Sequence, residues 1–228
     1  MVKLKNIIQI AGVHDWKEAK ILVDVGTDFI GFPLRLDVNE EYLTDEEAAE
    51  VIGKIGNRAK SVLITYLETA VETANLCKKI GATWVQFHAD LPVSEVAKFR
   101  QSNSKIGIIK SLVISQDNFA EIEKMIDKFS PFVDAFITDT YDPNSGARGA
   151  TGKIHDWKIS RKIVEISPKP IILAGGLNPE NVSEAIQFVH PAGVDVHSGV
   201  TGKDKRKIPK LVQKFVQRAK EAFDKQLK

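Results

Sequence analysis

One cysteine in 228 residues leaves no intramolecular disulfide to be made. A chain so poor in cysteine relies on its apolar core and fits a reducing compartment. That residue, Cys77 in "ETANLCKKIG", falls on the apolar side of an expected helix, which suits packing rather than reactivity. Charge of one sign is lacking too. The formal net charge is +2, so no overall basic field argues for a nucleic-acid partner. Long hydrophobic runs are also missing. The N-terminal "MVKLKNIIQIAGVHDW" carries basic residues, but its apolar stretch is short and broken by Gln9. It reads neither as a signal peptide nor as a membrane span. The expectation is a cytoplasmic protein with neither membrane nor nucleic acid as partner. No low-complexity tract marks a domain boundary.

What is there is ordinary globular composition, 43% hydrophobic and 27% charged, with length enough for one large core. Short β-branched runs alternate with segments of helical period. The runs are Ile7–Ala11, Phe29–Phe32, Ser61–Thr65, Thr83–His88, Ile106–Leu112, Val133–Asp139, Pro170–Ala174 and Val194–Ser198. Helices are expected to begin near Asp15, Thr44, Glu68, Val93, Asp117, Lys158, Pro179 and Lys205. In the last, Ile208, Leu211, Val212, Phe215, Val216, Ala219 and Phe223 make an apolar stripe. Eight β-then-α units without a long linker point to a parallel sheet. Eight units in this length favour one closed (β/α)8 TIM barrel over residues 1–228. The irregular stretch "DTYDPNSGARGATGKIHDW" is a long Gly-rich loop, of a kind that is often functional. Gly146, Gly149 and Gly152 suit a lid that orders over ligand.

In this fold class, chemistry sits at the C-terminal ends of the strands. The ends can therefore be read in turn. His14 follows strand one, and Arg35 and Asp37 follow strand two in "GFPLRLD". Strand four ends in "VQFHAD", where alternation puts Gln86 and His88 on one face. His88 is a substrate-facing group or a satisfied core histidine. Lys110, within "GIIKSL", either contacts ligand or pairs with a buried carboxylate inside the barrel. Arg35 is a surface charge or a clamp. Asp139 ends the apolar strand "FITDT" just before the Gly-rich loop, which favours catalysis over a turn role. Strand seven ends in "IILAGGLNPENV", with Asn178 as the expected helix N-cap and Pro179 as its first residue. Gly175 and Gly176 lie between, where backbone must turn or let something approach. With Ser198 and Gly199 after strand eight they make the phosphate site that such barrels build from their last two loops.

These segments resemble, in order and over nearly the whole chain, the phosphoribosylanthranilate isomerase family. "GTDFIGF" is similar to its second strand, and "VQFHAD" to its Val-Gln-Leu-His-Gly-Asp. "FITDT" is similar to the strand carrying its catalytic aspartate, and "GATGKIHDW" to its Gly-Gly-Thr-Gly-Lys-x-x-Asp-Trp loop. "ILAGGLNPENV" and "GVDVHSGV" are similar to its phosphate-binding segments. The resemblance implies a (β/α)8 barrel with no metal or organic cofactor, acting on an N-aryl aminoribose phosphate in tryptophan biosynthesis. An acid opens the sugar ring to a Schiff base, and a base then takes the proton from the neighbouring carbon. Asp139 matches the acid. Arg35, Lys110, Thr151 and Gly152 are the expected substrate contacts.

The chain also departs from the family. The family's base is a cysteine ending strand one; here "IQIAG" puts Ala11 there, and a methyl group accepts no proton. A Ser-Pro-Arg after strand two is replaced by the acidic "DVNEEYLT". His197 stands for a small residue and His155 for an aromatic one. Three functions follow. The first is the isomerase with a relocated base, His88 foremost, with His14 or a carboxylate such as Asp37 as alternatives. The second is another isomerase, epimerase or lyase on a small phosphorylated sugar. The third is a non-catalytic phosphate-ester binder, which the retained Asp139 disfavours. A monomer or a homodimer is expected.

Overall fold

The computed structural model describes residues 4–36, 41–115, 118–140 and 156–226. Eight parallel strands alternate with eight helices, and the strands close in chain order, each on its neighbour and β8 on β1. The strands are β1 (Ile7–Ala11), β2 (Phe29–Pro33), β3 (Lys60–Thr65), β4 (Trp84–Phe87), β5 (Gly107–Ile114), β6 (Ala135–Thr140), β7 (Ile171–Leu173) and β8 (Gly193–Val196). The helices are α1 (Trp16–Asp24), α2 (Asp45–Ile55), α3 (Ala70–Ile80), α4 (Val93–Ser102), α5 (Phe119–Phe129), α6 (Trp157–Ile166), α7 (Val182–Val189) and α8 (Pro209–Lys225). The chain is a (β/α)8 barrel. Among the described residues no helix is long and apolar enough to cross a membrane.

Alternation sorts each strand between two cores. Ile8, Ile10, Ile30, Leu63, Ile108, Leu112, Phe136 and Val194 face the helices in one large cluster. Phe29, Val62, Ile109, Ala135, Ile137 and Ile172 fill the barrel itself, with Ile7, Ile64 and Trp84 against them. Gly107 is required where it is, since a Cβ there would lie 2.2 Å from the Trp84 indole that crosses the barrel floor. Above this apolar floor the interior turns polar, with buried Gln9, Gln86, Ser111, His88 and Asp139. A buried polar group needs a partner or a ligand.

Two helix starts differ from expectation. Asn178 closes a turn instead of capping: its Oδ1 accepts from the N–H groups of Glu180 and Asn181, 2.8 and 3.1 Å. The helix begins three residues later, with Asn181 at the N-cap. Likewise α8 starts at Pro209, not near Lys205. The intervening chain forms a short 3-10 turn (Ser198–Val200) and an antiparallel bridge between Thr201 and Lys207, which takes residues 201–207 out of helical conformation. Buried Glu18 on α1 fixes this loop. It accepts from the Lys207 N–H at 3.0 Å and from the His14 N–H at 2.9 Å, while Arg206 reaches it from outside.

Candidate active site

A cavity of about 370 Å³ opens at the C-terminal ends of the strands. Its wall includes Ala11, Gln86, His88, Asp139, Gly175, Gly176, Asp195, His197, Ser198 and Lys205. Residues from seven of the eight strands or their following loops therefore converge on one space, among them both expected catalytic residues. As alternation predicts, Gln86 and His88 share a face: the Gln86 amide donates to Ser111 Oγ at 3.4 Å, and His88 Nδ1 lies 2.9 Å from the same oxygen. The other ring nitrogen, Nε2, lies 3.9 Å from Asp139 Oδ2. Asp139 Oδ1 accepts from the Thr140 N–H at 2.8 Å. His88 and Asp139 are thus one unit on the β4–β6 side.

The loops after β7 and β8 form the opposite side of the cavity. Gly175 and Gly176 have φ of 96° and 67°, the left-handed region that glycine enters without strain. The 3-10 turn after β8 comes so close that a Cβ on Gly199 would lie 2.0 Å from the Leu177 carbonyl oxygen. Gly199 is therefore needed to let the two loops meet, while Gly175, Gly176 and Ser198 face the cavity. Asn181 secures the first loop by donating from Nδ2 to the Gly176 carbonyl at 3.0 Å.

The remaining site expectations fall elsewhere. Lys110 lies on the helix-facing parity of β5, with Ile108 and Leu112. Its Nζ donates to the Ser111 carbonyl at 3.0 Å and sits over the Phe129 ring of α5. It is away from the cavity wall. Arg35 is drawn to α2, where its guanidinium meets both Asp45 oxygens at 2.9 and 2.8 Å. The neighbouring Leu36 lines the cavity instead. Thr151, Gly152, His155, Asp37 and most of the Gly-rich loop lie outside the described residues. His14 stacks on Tyr42 with ring centroids 3.9 Å apart, and its Nε2 lies 3.0 Å from the Lys205 carbonyl. A carbonyl only accepts, so that nitrogen carries the proton. Among the described residues, no group of three or more His, Cys, Asp or Glu could hold a metal ion.

Sequence reasoning passed over Asp195 and Lys207 and gave His197 no role. Asp195 of β8 lines the cavity deep in the barrel, and burial pushes its carboxyl up to about 7, against the Gln9 amide and the Lys207 charge. Lys207, pulled down to about 8 by burial, holds the loop by donating to Thr201 Oγ1 at 3.0 Å and to the His197 carbonyl at 3.3 Å. His197, noticed only as an oddity, is driven down to about 3 by burial, helped by the Lys207 and His14 charges, and so stays neutral. It lies parallel to Tyr42, with ring centroids 6.3 Å apart. The signal for Asp195 was present: a carboxylate in an otherwise apolar strand, two residues before His197 on the same face.

A family model described as N-(5'-phosphoribosyl)anthranilate (PRA) isomerase matches residues 8–218. A protein of Methanosarcina mazei named N-(5'-phosphoribosyl)anthranilate isomerase 2 is 37% identical over 217 residues, covering 95% of each chain. Its counterpart in Methanosarcina acetivorans is 34% identical over 224 residues, 94% of this chain and 93% of that one. Among solved structures, the phosphoribosylanthranilate isomerase of Thermotoga maritima superposes with a TM-score of 0.80 at 26% identity, covering 94% of this chain and 98% of that chain.

Proposed function

The chain belongs to the phosphoribosylanthranilate isomerase family, and on that premise we propose that it converts N-(5'-phosphoribosyl)anthranilate into the corresponding aminoketose phosphate in tryptophan biosynthesis. The observation that carries the reading is convergence. The acid Asp139, its neighbour His88 and the glycine-lined concavity all border one cavity at the strand ends. The substrate phosphate occupies the Gly175–Gly176 and Ser198–Gly199 backbone. Positive φ at the glycine pair suits a concave arrangement of N–H groups that takes an anion.

Asp139 gives its proton to the ring oxygen, the C1–O bond breaks, and a protonated Schiff base forms at C1. Asp139 is buried, and His88 Nε2 lies 3.9 Å from it, so the imidazole steadies the carboxylate left behind. The aryl side of the mouth is made by the parallel rings of Tyr42 and His197, with His14 stacked on Tyr42 and Lys205 on the wall for the aryl carboxylate. Neither Arg35 nor Lys110 has a part in this reading, because each is engaged away from the cavity. The working partner is a small phosphorylated sugar, and the active unit is a monomer or homodimer. Incubating purified protein with N-(5'-phosphoribosyl)anthranilate and identifying the product by mass and fragmentation tests the proposal. The ketose supports it, and recovery of unchanged substrate contradicts it.

A further inference from the structure

With a methyl group at Ala11, the proton on the sugar carbon next to the Schiff base has no acceptor on β1. The histidines nearby are poorly suited. His88 sits against the acid itself. The Nε2 of His14 is committed to the Lys205 carbonyl. His197 is neutral but, held near 3, too weak a base. Cys77 is buried in α3, its thiol pushed up to about 12 by burial.

Strand β8 offers another group. It pairs with β1 in a register that sets Asp195 opposite Gln9 and Val196 opposite Ile10. Ala11 is the next inward-facing position above Gln9, so Asp195 lies one step below the missing side chain and on the adjacent strand. Both residues border the cavity. Asp195 Oδ1 is buried and has no hydrogen-bond partner among the described residues, and the same holds for Gln9 Oε1. The Gln9 amide donates from Nε2 to Gln86 Oε1 at 3.0 Å and also holds Asp195, and the Lys207 charge acts on this carboxyl from the loop after β8. Such an unpaired carboxylate oxygen is expensive in a folded interior unless it has a task.

We propose that Asp195 is the general base of this isomerase, reaching the substrate through the space that the Ala11 methyl leaves open. The inference rests on the isomerase reading above. In the protonated Schiff base, an Asp195 oxygen takes the proton from C2. The C2–H bond breaks and an O–H bond forms. The C–H pair becomes the C1–C2 double bond, and the C1–N π pair returns to nitrogen. The neutral enolamine then loses its O2 proton and gains one at C1 to give the ketose, so no oxidant or reductant is consumed. A carboxyl raised to about 7 by burial has the basicity that proton abstraction near neutral pH needs.

The test is steady-state kinetics of wild type, Asp195→Asn and the double variant Asp195→Asn/Ala11→Cys, with melting curves to establish folding. Asp195→Asn is expected to lower kcat by ~10²-fold or more with KM changed by no more than about threefold. The wild-type kcat is expected to show an acidic limb near pH 7, and adding Ala11→Cys to recover part of the rate with the limb moved toward the thiol range. A kcat for Asp195→Asn within about tenfold of wild type, a loss confined to KM, or a double variant no faster than Asp195→Asn overturns the assignment. Should Asp195→Asn fail to fold, Asp195→Glu decides: a wild-type acidic limb that this change leaves in place overturns the assignment, and a displaced limb supports it. An active wild type indifferent to Asp195→Asn removes the base and leaves the isomerase reading intact. A wild type without turnover removes both.

Discussion

His88 Nε2 lies 3.9 Å from Asp139 Oδ2, while its Nδ1 is fixed 2.9 Å from Ser111 Oγ. The ring is therefore oriented by β5 and aimed at Asp139 from β4, which on the proposed reading supports the acid. His88→Ala is expected to lower kcat by ~10- to 10²-fold, less than loss of the acid itself. His88→Gln, which keeps a polar group near Asp139, recovers part of it. Initial rates at saturating substrate check this.

The contact between the loops after β7 and β8 predicts a steric effect. A Cβ on Gly199 would lie 2.0 Å from the Leu177 carbonyl oxygen and 2.9 Å from Asn178 Cα, both backbone atoms that cannot swing aside. Gly199→Ala should destabilise by ~1–3 kcal/mol through overpacking and weaken binding of phosphate-bearing ligands as the loops part. Thermal melting with and without inorganic phosphate measures both. An unchanged melting temperature with unchanged phosphate stabilisation contradicts it.

Two buried groups give stability opposite pH dependences. Asp195 is raised to about 7 in the fold, so between pH ~4 and ~7 the folded state holds a proton that the unfolded chain has released. Stability from this group falls as pH rises through that window. His197 is lowered to about 3, so the unfolded chain takes up a proton first, and its contribution is lost as pH falls below ~6.5. Asp195→Asn should match wild type near pH 4 and exceed it by about 2–4 kcal/mol at pH 8. His197→Gln should gain on wild type only on the acid side. Urea unfolding from pH 4 to 8 reads both signs.

Cys77 is buried on α3, and its thiol is pushed up to about 12 by burial alone. Thiolate is the reactive form, so a disulfide reagent at pH 8 should leave the native protein unlabelled and label it at the rate of unfolding. Rapid labelling of native protein contradicts this burial.

Much of this architecture was legible in the sequence. Strand β1 is found over the residues expected, and the other strands differ by a few residues at their ends, because alternating apolar runs and turn residues are local signals. Gln86 and His88 share a face for the same reason. Lys110 escaped because "GIIKSL" is apolar on both sides of the strand. The sequence does not say which parity faces the barrel, and Ile109 and Ser111 take the inside. Arg35 escaped because its partner Asp45 is ten residues away, on the next helix. The turn at Asn178 mimics a helix cap so closely that only its hydrogen bonds separate the two. Asp195 carried a visible oddity, yet that its Oδ1 has no partner among the described residues is a tertiary fact.

If this cavity isomerises an aminoribose phosphate with Asp139 as its acid, the turnover of purified Asp139→Asn beside wild type must show it. Asparagine keeps the shape and removes the transferable proton. The wild type is expected to be active and Asp139→Asn slower by ~10²-fold or more, with the fold intact. Equal rates for the two proteins, or a wild type that leaves N-(5'-phosphoribosyl)anthranilate unchanged, would contradict it.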